Sequence, residues 1–283
     1  GRYLTEVIAE QAVDFIHAHA AEPFLCYVPF NAPHYPMHAP AEYLDRFPEL
    51  PPERRIMAAM IAAMDDGVGR ILDALDAHGI ADDTLVFFSS DNGPSTESRN
   101  WLDGEEIAYR GGSTGGLRGS KGSLFDGGIR VPAIVTWPGR LPAGVVSDVP
   151  GQMMDVVPTV LEALGLPGAA EADGESRLAV WQGADADADA DTNADVDADA
   201  ERTLFWEYGP QLAARRGRWK LVTSAREYLG GPYVLGSSIL VDLDADPGEH
   251  TDLSAAHPDV AAALQAELSA WAASFAWDGA AWA

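Results

Sequence analysis

The sequence predicts an α/β fold, with a mainly parallel sheet between helices followed by a small antiparallel sheet and a terminal helix. Three observations carry this prediction. Up to Gly165, stretches with apolar residues at helical spacing alternate with short β-branched and aromatic runs, the pattern of strands joined through helices. Beyond residue 200 that alternation gives way to three short strand-like runs separated by loops, and then to one alanine-rich amphipathic stretch. A chain of 283 residues that is 47% hydrophobic can also bury a large core, which excludes disorder throughout.

Leu4, Ile8, Ala12, Phe15 and Ile16 share one helical face, so the chain opens on a helix. FLCYVPF, from Phe24 to Phe30, reads as a buried strand, and the proline-rich NAPHYPMHAP after it as a loop. Ile56, Met60, Met64, Val68, Ile71 and Leu75 then recur at helical spacing until Gly79 ends the run. Thr84 to Ser90 is the next strand and Val131 to Pro138 another. Asp155 caps a further helix that has Pro158 in its first turn and Gly165 at its end. Residues 184–200, ADADADADTNADVDADA, carry no large apolar group apart from Val196 and are expected to form a solvated acidic loop. TLFWEY, GRWKLVT and SILVDLD supply the late strands, and Pro258 to Phe275 the terminal helix. The expected organisation is an α/β domain over 1–183, the acidic loop over 184–200 and a C-terminal subdomain over 201–283.

Charge and composition exclude several classes of partner. The formal charge is −26, with Lys121 and Lys220 the only lysines among 18 basic residues, which disfavours nucleic acid and anionic lipid. No stretch approaches the roughly 18 to 20 apolar residues of a membrane span, and GRYLTEVIAE lacks the features of a signal segment. Cys26 stands alone, so an intrachain disulfide framework is impossible.

Two stretches carry the chemistry. LVFFSSDNG is an apolar run that stops in Asp91, Asn92 and Gly93, placing hard oxygen donors just beyond a strand end, where open α/β sheets put their sites. With two further carboxylates, Asp91 and Asn92 would make a six-oxygen calcium or magnesium site, although Asp-Asn-Gly is also a common turn sequence. Gly119-Ser120-Lys121-Gly122-Ser123 lets the backbone approach an anion and offers one compact ammonium, which can stabilise charge growing in a transition state. A flexible surface lysine is the alternative. Arg118 and Arg130 lie close by in sequence and either help hold the anion or pair with Asp126, with pairing favoured for Arg130. His34, between Pro33 and Tyr35-Pro36, sits in a loop whose prolines restrict the backbone, which suits a directed donor or general acid as well as a structural histidine. Asp65 and Asp66 precede Gly67 inside a helical run and are read as a helix cap, a kink or a surface pair rather than as catalytic groups. A cation site beside an anion-holding lysine points to ester hydrolysis.

Taken together, PFNAPHYPMHAP, DDGVGRILDAL, FFSSDNG, GLRGSKGSLFDGGIRVPAIVTWPGR and DVVPTVLEALG, in that order and spacing, resemble the sulfatase family. The resemblance covers essentially the whole chain, with LVDLDADPGEHTDL and the final helix similar to the family's small C-terminal subdomain. It implies an alkaline-phosphatase-like α/β sandwich, a calcium ion rather than magnesium, and hydrolysis of sulfate monoesters by covalent transfer of the sulfuryl group. Asp91 and Asn92 would then be metal ligands, Lys121 would contact the sulfate and the ester oxygen, and His34 would hydrogen-bond the sulfate or protonate the leaving group. The implied substrate is a sulfate ester, of a carbohydrate or an aryl group, and the implied location periplasmic or extracellular.

One departure stands out. The family carries a Cys-x-Pro-Ser-Arg-like motif whose cysteine becomes formylglycine, and an early aspartate pair that completes the calcium site, and neither is present in this sequence. Cys26, followed by Tyr27, Val28 and Pro29, fails the motif and reads as a core residue. The expectation is therefore a C-terminal portion of a sulfatase, with the N-terminal part missing, formylglycine supplied by that part, and no turnover by this chain alone. Two alternatives remain: a phosphate or phosphonate ester hydrolase of the same superfamily, and a noncatalytic anion- or calcium-binding remnant. Tyr109, Trp101, Trp206 and Tyr208 are candidates to stack on a sugar or aryl ring, with core packing equally expected for the last two.

Overall fold

The structure, a computed structural model, describes residues 1–96, 100–102, 105–107, 112–168, 171–183 and 202–275, with side chains described outside 97–111. In chain order the elements are α1 (Leu4–His19), α2 (Ala41–Leu44), α3 (Pro52–Ala77), β1 (Val86–Ser89), β2 (Asn100–Leu102), β3 (Glu105–Ile107), α4 (Asp126–Ile129), β4 (Ala133–Thr136), α5 (Val156–Ala163), α6 (Leu178–Trp181), β5 (Thr203–Tyr208), β6 (Gln211–Arg216), β7 (Trp219–Thr223), β8 (Ser238–Asp242) and α7 (Pro258–Ser274). The acidic stretch 184–200 and Tyr109 lie outside the described residues. So does the side chain of Trp101.

The chain divides into two compact units. The first comprises Gly1–Leu85, Pro94–Ser113 and Tyr228–Gly230, and the second comprises Val86–Gly93, Thr114–Glu227 and Gly231–Ala283.

In the first unit α1 packs on α3. The helices approach closely because α3 has Gly67 at the crossing, where a Cβ would lie 3.0 Å from the Ala9 Cβ and 3.4 Å from the Phe30 ring. Ala9, Ala12 and Ile16 on α1 are buried, while Ala59, Met60 and Ala63 on α3 are buried in a cluster with Ala32, Met37, Ala39 and Tyr43. Leu4 is largely exposed, so the buried face of α1 is rotated from the expected one toward Thr5, Ala9, Ala12 and Ile16. The expected strand over 24–30 is extended but has no ladder partner among the described residues. Leu25 and Tyr27 are 87% and 84% exposed, while Phe24, Cys26 and Val28 are half-buried. Of the readings open for this pair, Asp66 takes that of a surface ion pair, accepting two hydrogen bonds from Arg46 at 3.2 and 2.7 Å.

In the second unit β1 and β4 form a two-stranded sheet, with Phe87 opposite Val135 and Phe88 opposite Ile134. Their pairing is antiparallel, where the helix–strand alternation predicted a parallel neighbour. The reason lies in the connection: among the described residues between the two strands the chain forms the paired strands β2 and β3, the glycine-rich turn and the single-turn α4, with no crossover helix long enough to return it in parallel. The C-terminal sheet is an antiparallel meander of four strands in the order β5-β6-β7-β8, one more than expected. The extra strand is β6, QLAARR, joined to β5 by the two-residue turn Gly209-Pro210.

Alternation along these strands gives the meander two apolar faces. Leu212, Ala214, Leu221 and Leu240 face Leu264, Leu268 and Ala272 of α7. Ala213, Val222 and Ala225 face Leu124 and Phe125 from the glycine-rich segment, with Trp206 and Ile129 at the margin. A sheet covered on both sides sequesters its ladder from water, and its second face is the floor on which the Lys121 segment rests.

Candidate active site

Asp91, Asn92 and Gly93 follow β1 directly, and Asp91 is exposed while Gly93 is buried. Gly93 is seated on the backbone of Gly127 and Gly128: its N–H donates to the Gly128 carbonyl at 2.9 Å, and a Cβ there would fall 1.9 Å from the Gly127 carbonyl oxygen. Gly127 and Gly128 are in turn pressed onto the lysine turn. A Cβ on Gly127 would lie 2.4 Å from the Gly119 oxygen, and one on Gly128 2.5 Å from the Ser120 oxygen and 2.2 Å from the Ser123 oxygen. No residue with a side chain fits at these three positions, because each Cβ would meet rigid backbone and not a movable side chain. The stack brings the Asp91-Asn92 turn and the Gly119–Ser123 turn against one pair of glycines.

Asn92 donates its Nδ2 to the Gly93 carbonyl at 2.9 Å, which directs its Oδ1 away from the backbone. One carboxylate and one amide oxygen suit a hard cation such as calcium as two of its six to eight oxygen donors. Among the described residues no group of three or more His, Cys, Asp or Glu converges to complete such a shell.

Lys121 is half-buried in its turn. Arg118 does not pair with Asp126. It donates to Glu227 at 3.0 and 2.7 Å and to the Glu249 carbonyl at 2.7 Å, with its guanidinium 3.9 Å above the Phe125 ring. Arg130 lies 3.8 Å from Asp126, as expected. The closer partner of Asp126 is Lys220, at 2.6 Å, and Lys220 also lies 2.8 Å from Glu249. Lys220 and Glu249 are completely buried and Asp126 nearly so. Burial raises the Glu249 carboxyl above the ordinary glutamate value, with the Lys220 charge opposing this and Asp126 adding to it. Glu249 Oε2 accepts from the Asp126 N–H at 2.5 Å, which fixes the start of the turn that carries Gly127 and Gly128. This buried triad escaped the sequence reading, since Lys220 and Glu249 stand 94 and 123 residues away from Asp126. The one available signal was the placement of a lysine inside an otherwise apolar strand run, GRWKLVT.

Asp155 occupies the N-cap position of α5, but its side chain reaches backward and not into the helix. It accepts from the Gln152 and Glu175 N–H groups at 2.8 and 2.9 Å and from both terminal nitrogens of Arg202 at 3.0 and 2.8 Å. Burial alone would raise its carboxyl, and these hydrogen bonds outweigh burial, so the net shift is downward.

His34 belongs to the first unit and is exposed. Its Nδ1 is 2.7 Å from the Tyr35 carbonyl, which can only accept, so Nδ1 carries a proton and donates it there. The peptides before Pro33 and Pro36 are both cis. Trp206 is half-buried at the margin of the sheet's second apolar face, whereas Tyr208 is 40% exposed. Cys26 is half-buried, and burial raises its thiol. Among the described residues no helix is long and apolar enough to cross a membrane.

Similarity to solved sulfatase structures gives the chain the α/β, alkaline-phosphatase-like fold. The sulfatase family profile matches residues 1–166, and the chain belongs to the sulfatase family. It is 37% identical over 266 residues to mouse N-acetylgalactosamine-6-sulfatase, covering 89% of this chain and 48% of that protein. It is also 37% identical over 182 residues to mouse steryl-sulfatase, covering 64% of this chain and 28% of that protein. A solved structure concerned with the metabolism of multiple glycosaminoglycans by Bacteroides thetaiotaomicron superposes with a TM-score of 0.77 at 24% identity, over 94% of this chain and 54% of the other, which shows the shared fold. The phosphonate monoester hydrolase of Silicibacter pomeroyi has the same fold, with a TM-score of 0.64 at 19% identity over 95% and 59%. The chain spans between about a quarter and a half of the length of the curated relatives it matches.

Proposed function

We propose that this chain supplies part of the active site of a sulfate monoester hydrolase, acting on a sulfated carbohydrate or an aryl sulfate. The observation that carries this reading is the glycine stack, in which Gly93 rests on Gly127 and Gly128 and these rest on the Lys121 turn. It supports a pocket in which a cation and an ammonium meet one tetrahedral oxyanion, against the net charge of −26.

In this pocket Asp91 and Asn92 would hold calcium through one carboxylate and one amide oxygen. A bound divalent cation would neutralise charge on the sulfate and on the group that attacks it. Lys121 binds a sulfate oxygen and lowers the cost of negative charge growing on the ester oxygen. His34, in the other compact unit and with its Nδ1 engaged by the Tyr35 carbonyl, would hydrogen-bond the sulfate or protonate the leaving group. Cys26 does not fit a formylglycine precursor, because Tyr27-Val28-Pro29 follows it, so no nucleophilic step is assigned to any residue of this chain. Supply of the nucleophile by another segment of the protein, and a periplasmic or extracellular location, complete the reading.

The test has two arms. Calorimetry on the 283-residue chain is expected to show calcium binding, sulfate binding that depends on calcium, and loss of about tenfold or more in sulfate affinity in Lys121→Ala, as befits a charge-assisted hydrogen bond. Calcium binding undiminished in Asp91→Asn would remove that residue from the cation site. The full-length protein should hydrolyse an aryl sulfate faster than the matched aryl phosphate, whereas the 283-residue chain alone should turn over neither. The likeness to a phosphonate monoester hydrolase favours the second reading, a phosphate or phosphonate ester hydrolase, and faster phosphate turnover would establish it. Calcium and sulfate binding without turnover by the full-length protein would leave the noncatalytic reading.

A further inference from the structure

The Lys121 turn is closed by one hydrogen bond of its own, from the Ser123 N–H to the Ser120 carbonyl at 2.9 Å. Gly119 and Gly122 flank the lysine at φ +82° and +87°, a region open to glycine but not enforced by it. Contacts from outside the turn add to that one bond. Two side chains do so by converging on a single acceptor, the carbonyl of Gly122, the residue after the lysine. Gln211 donates its Nε2 to this oxygen at 2.9 Å and Arg226 its Nε at 2.7 Å.

Each of the two is itself locked. Gln211, at the start of β6, is completely buried, and its Oε1 accepts from the Leu124 and Arg226 N–H groups at 3.3 and 3.1 Å. Arg226 is 7% exposed, with its guanidinium 5.0 Å from the Tyr208 ring and 4.6 Å from the Tyr233 ring. Its carbonyl accepts from Ser123 Oγ at 2.6 Å, so the turn and the Arg226 segment are joined in both directions. A buried amide with its donor and acceptor both engaged cannot rotate without stranding polar groups, which makes it a rigid spacer and not an adaptable contact.

We propose that Gln211 and Arg226 are positioning residues for Lys121, holding its turn against the C-terminal sheet so that the ammonium is presented to the anion in one orientation. This rests on the reading of Lys121 as the anion-binding group. Neither residue touches the substrate, and their contribution passes through the Gly122 peptide.

The two-lysine composition makes the test direct. Protein labelled with ¹³C-lysine should give two side-chain signals, one from Lys121 and one from the buried Lys220. In Gln211→Leu and Arg226→Ala the Lys121 signal should move toward the position of free lysine while the Lys220 signal stays, and calcium-dependent sulfate affinity should fall about tenfold, equivalent to about 1.4 kcal/mol. Arg226→Met, which keeps the stem but loses the guanidinium Nε donor and adds no third lysine signal, should reproduce the shift, and it decides the matter if the buried Gln211→Leu loses the Lys220 signal by unfolding. An unmoved Lys121 signal with unchanged sulfate affinity in a folded variant would overturn the proposal, as would a Lys121 signal already at the free-lysine position before substitution. If Lys121→Ala leaves sulfate affinity intact, the anion-binding reading falls, while the shift of the Lys121 signal still reports whether Gln211 and Arg226 hold the turn.

Discussion

The strand GRWKLVT and the segment FLCYVPF are both short runs rich in β-branched and aromatic residues, yet their fates differ. The first, as β7, is hydrogen-bonded on both edges and covered on both faces, and even its lysine is buried. The second is extended, has no paired neighbour among the described residues, and leaves Leu25 and Tyr27 in solvent. Propensity is similar in the two, so it is the neighbours that turn a strand-like sequence into a strand. β7 has β6, β8, α7 and the glycine-rich segment around it. A run that pairs with nothing keeps the pattern of a strand without its stabilisation.

Substitutions can break this contrast, the largest effect coming first. Lys220→Met removes the only cation of the buried triad and leaves Asp126 and Glu249 facing each other, so urea unfolding should show a loss of about 3–5 kcal/mol. Leu264→Ala opens a cavity between α7 and the sheet, with an expected loss of about 2–5 kcal/mol in the same measurement. Leu25→Ser in the unpaired run should stay within about 0.5 kcal/mol of the parent, since it removes little buried surface. A large loss there would mean that the run is covered in solution.

Acid and base limbs of the stability curve sharpen the comparison further. Asp155 is held below the ordinary aspartate value, so its contribution is present above about pH 4 and is lost as pH falls through its folded value. Glu249 is shifted the other way, so its contribution is complete below about pH 4.3 and is lost as pH rises through its folded value. Melting curves across pH should therefore show a shallower acid limb in Asp155→Asn, and a shallower decline above about pH 4.3 in Glu249→Gln.

Local signals made much of the candidate site legible. Asp91 and Asn92 were visible because an apolar run ended abruptly in oxygen donors, and Lys121 because glycines bracketed it in a chain with one other lysine. The helices α3 and α7 announced themselves through long apolar periodicity, and their ends fall within a few residues of expectation. Strand β6 did not, since QLAARR starts with an amide, ends in two arginines and owes its place to partners on either side. Gln211, Arg226, Lys220 and Glu249 were invisible for the same reason: each acts on the glycine-rich segment across 89 to 131 residues of chain, a distance over which spacing carries no information. Asp155 was recognised as a cap, but not that Arg202 and two N–H groups would claim its side chain.

The stack of Gly93, Gly127 and Gly128 has a genetic corollary. Every missense change of a glycine codon installs at least a methyl group, so at these three sites the code offers no conservative neighbour. A random mutation that would be absorbed elsewhere in the protein has nowhere gentle to land in this corner, and its tolerance to drift should be lowest where the side chains are smallest.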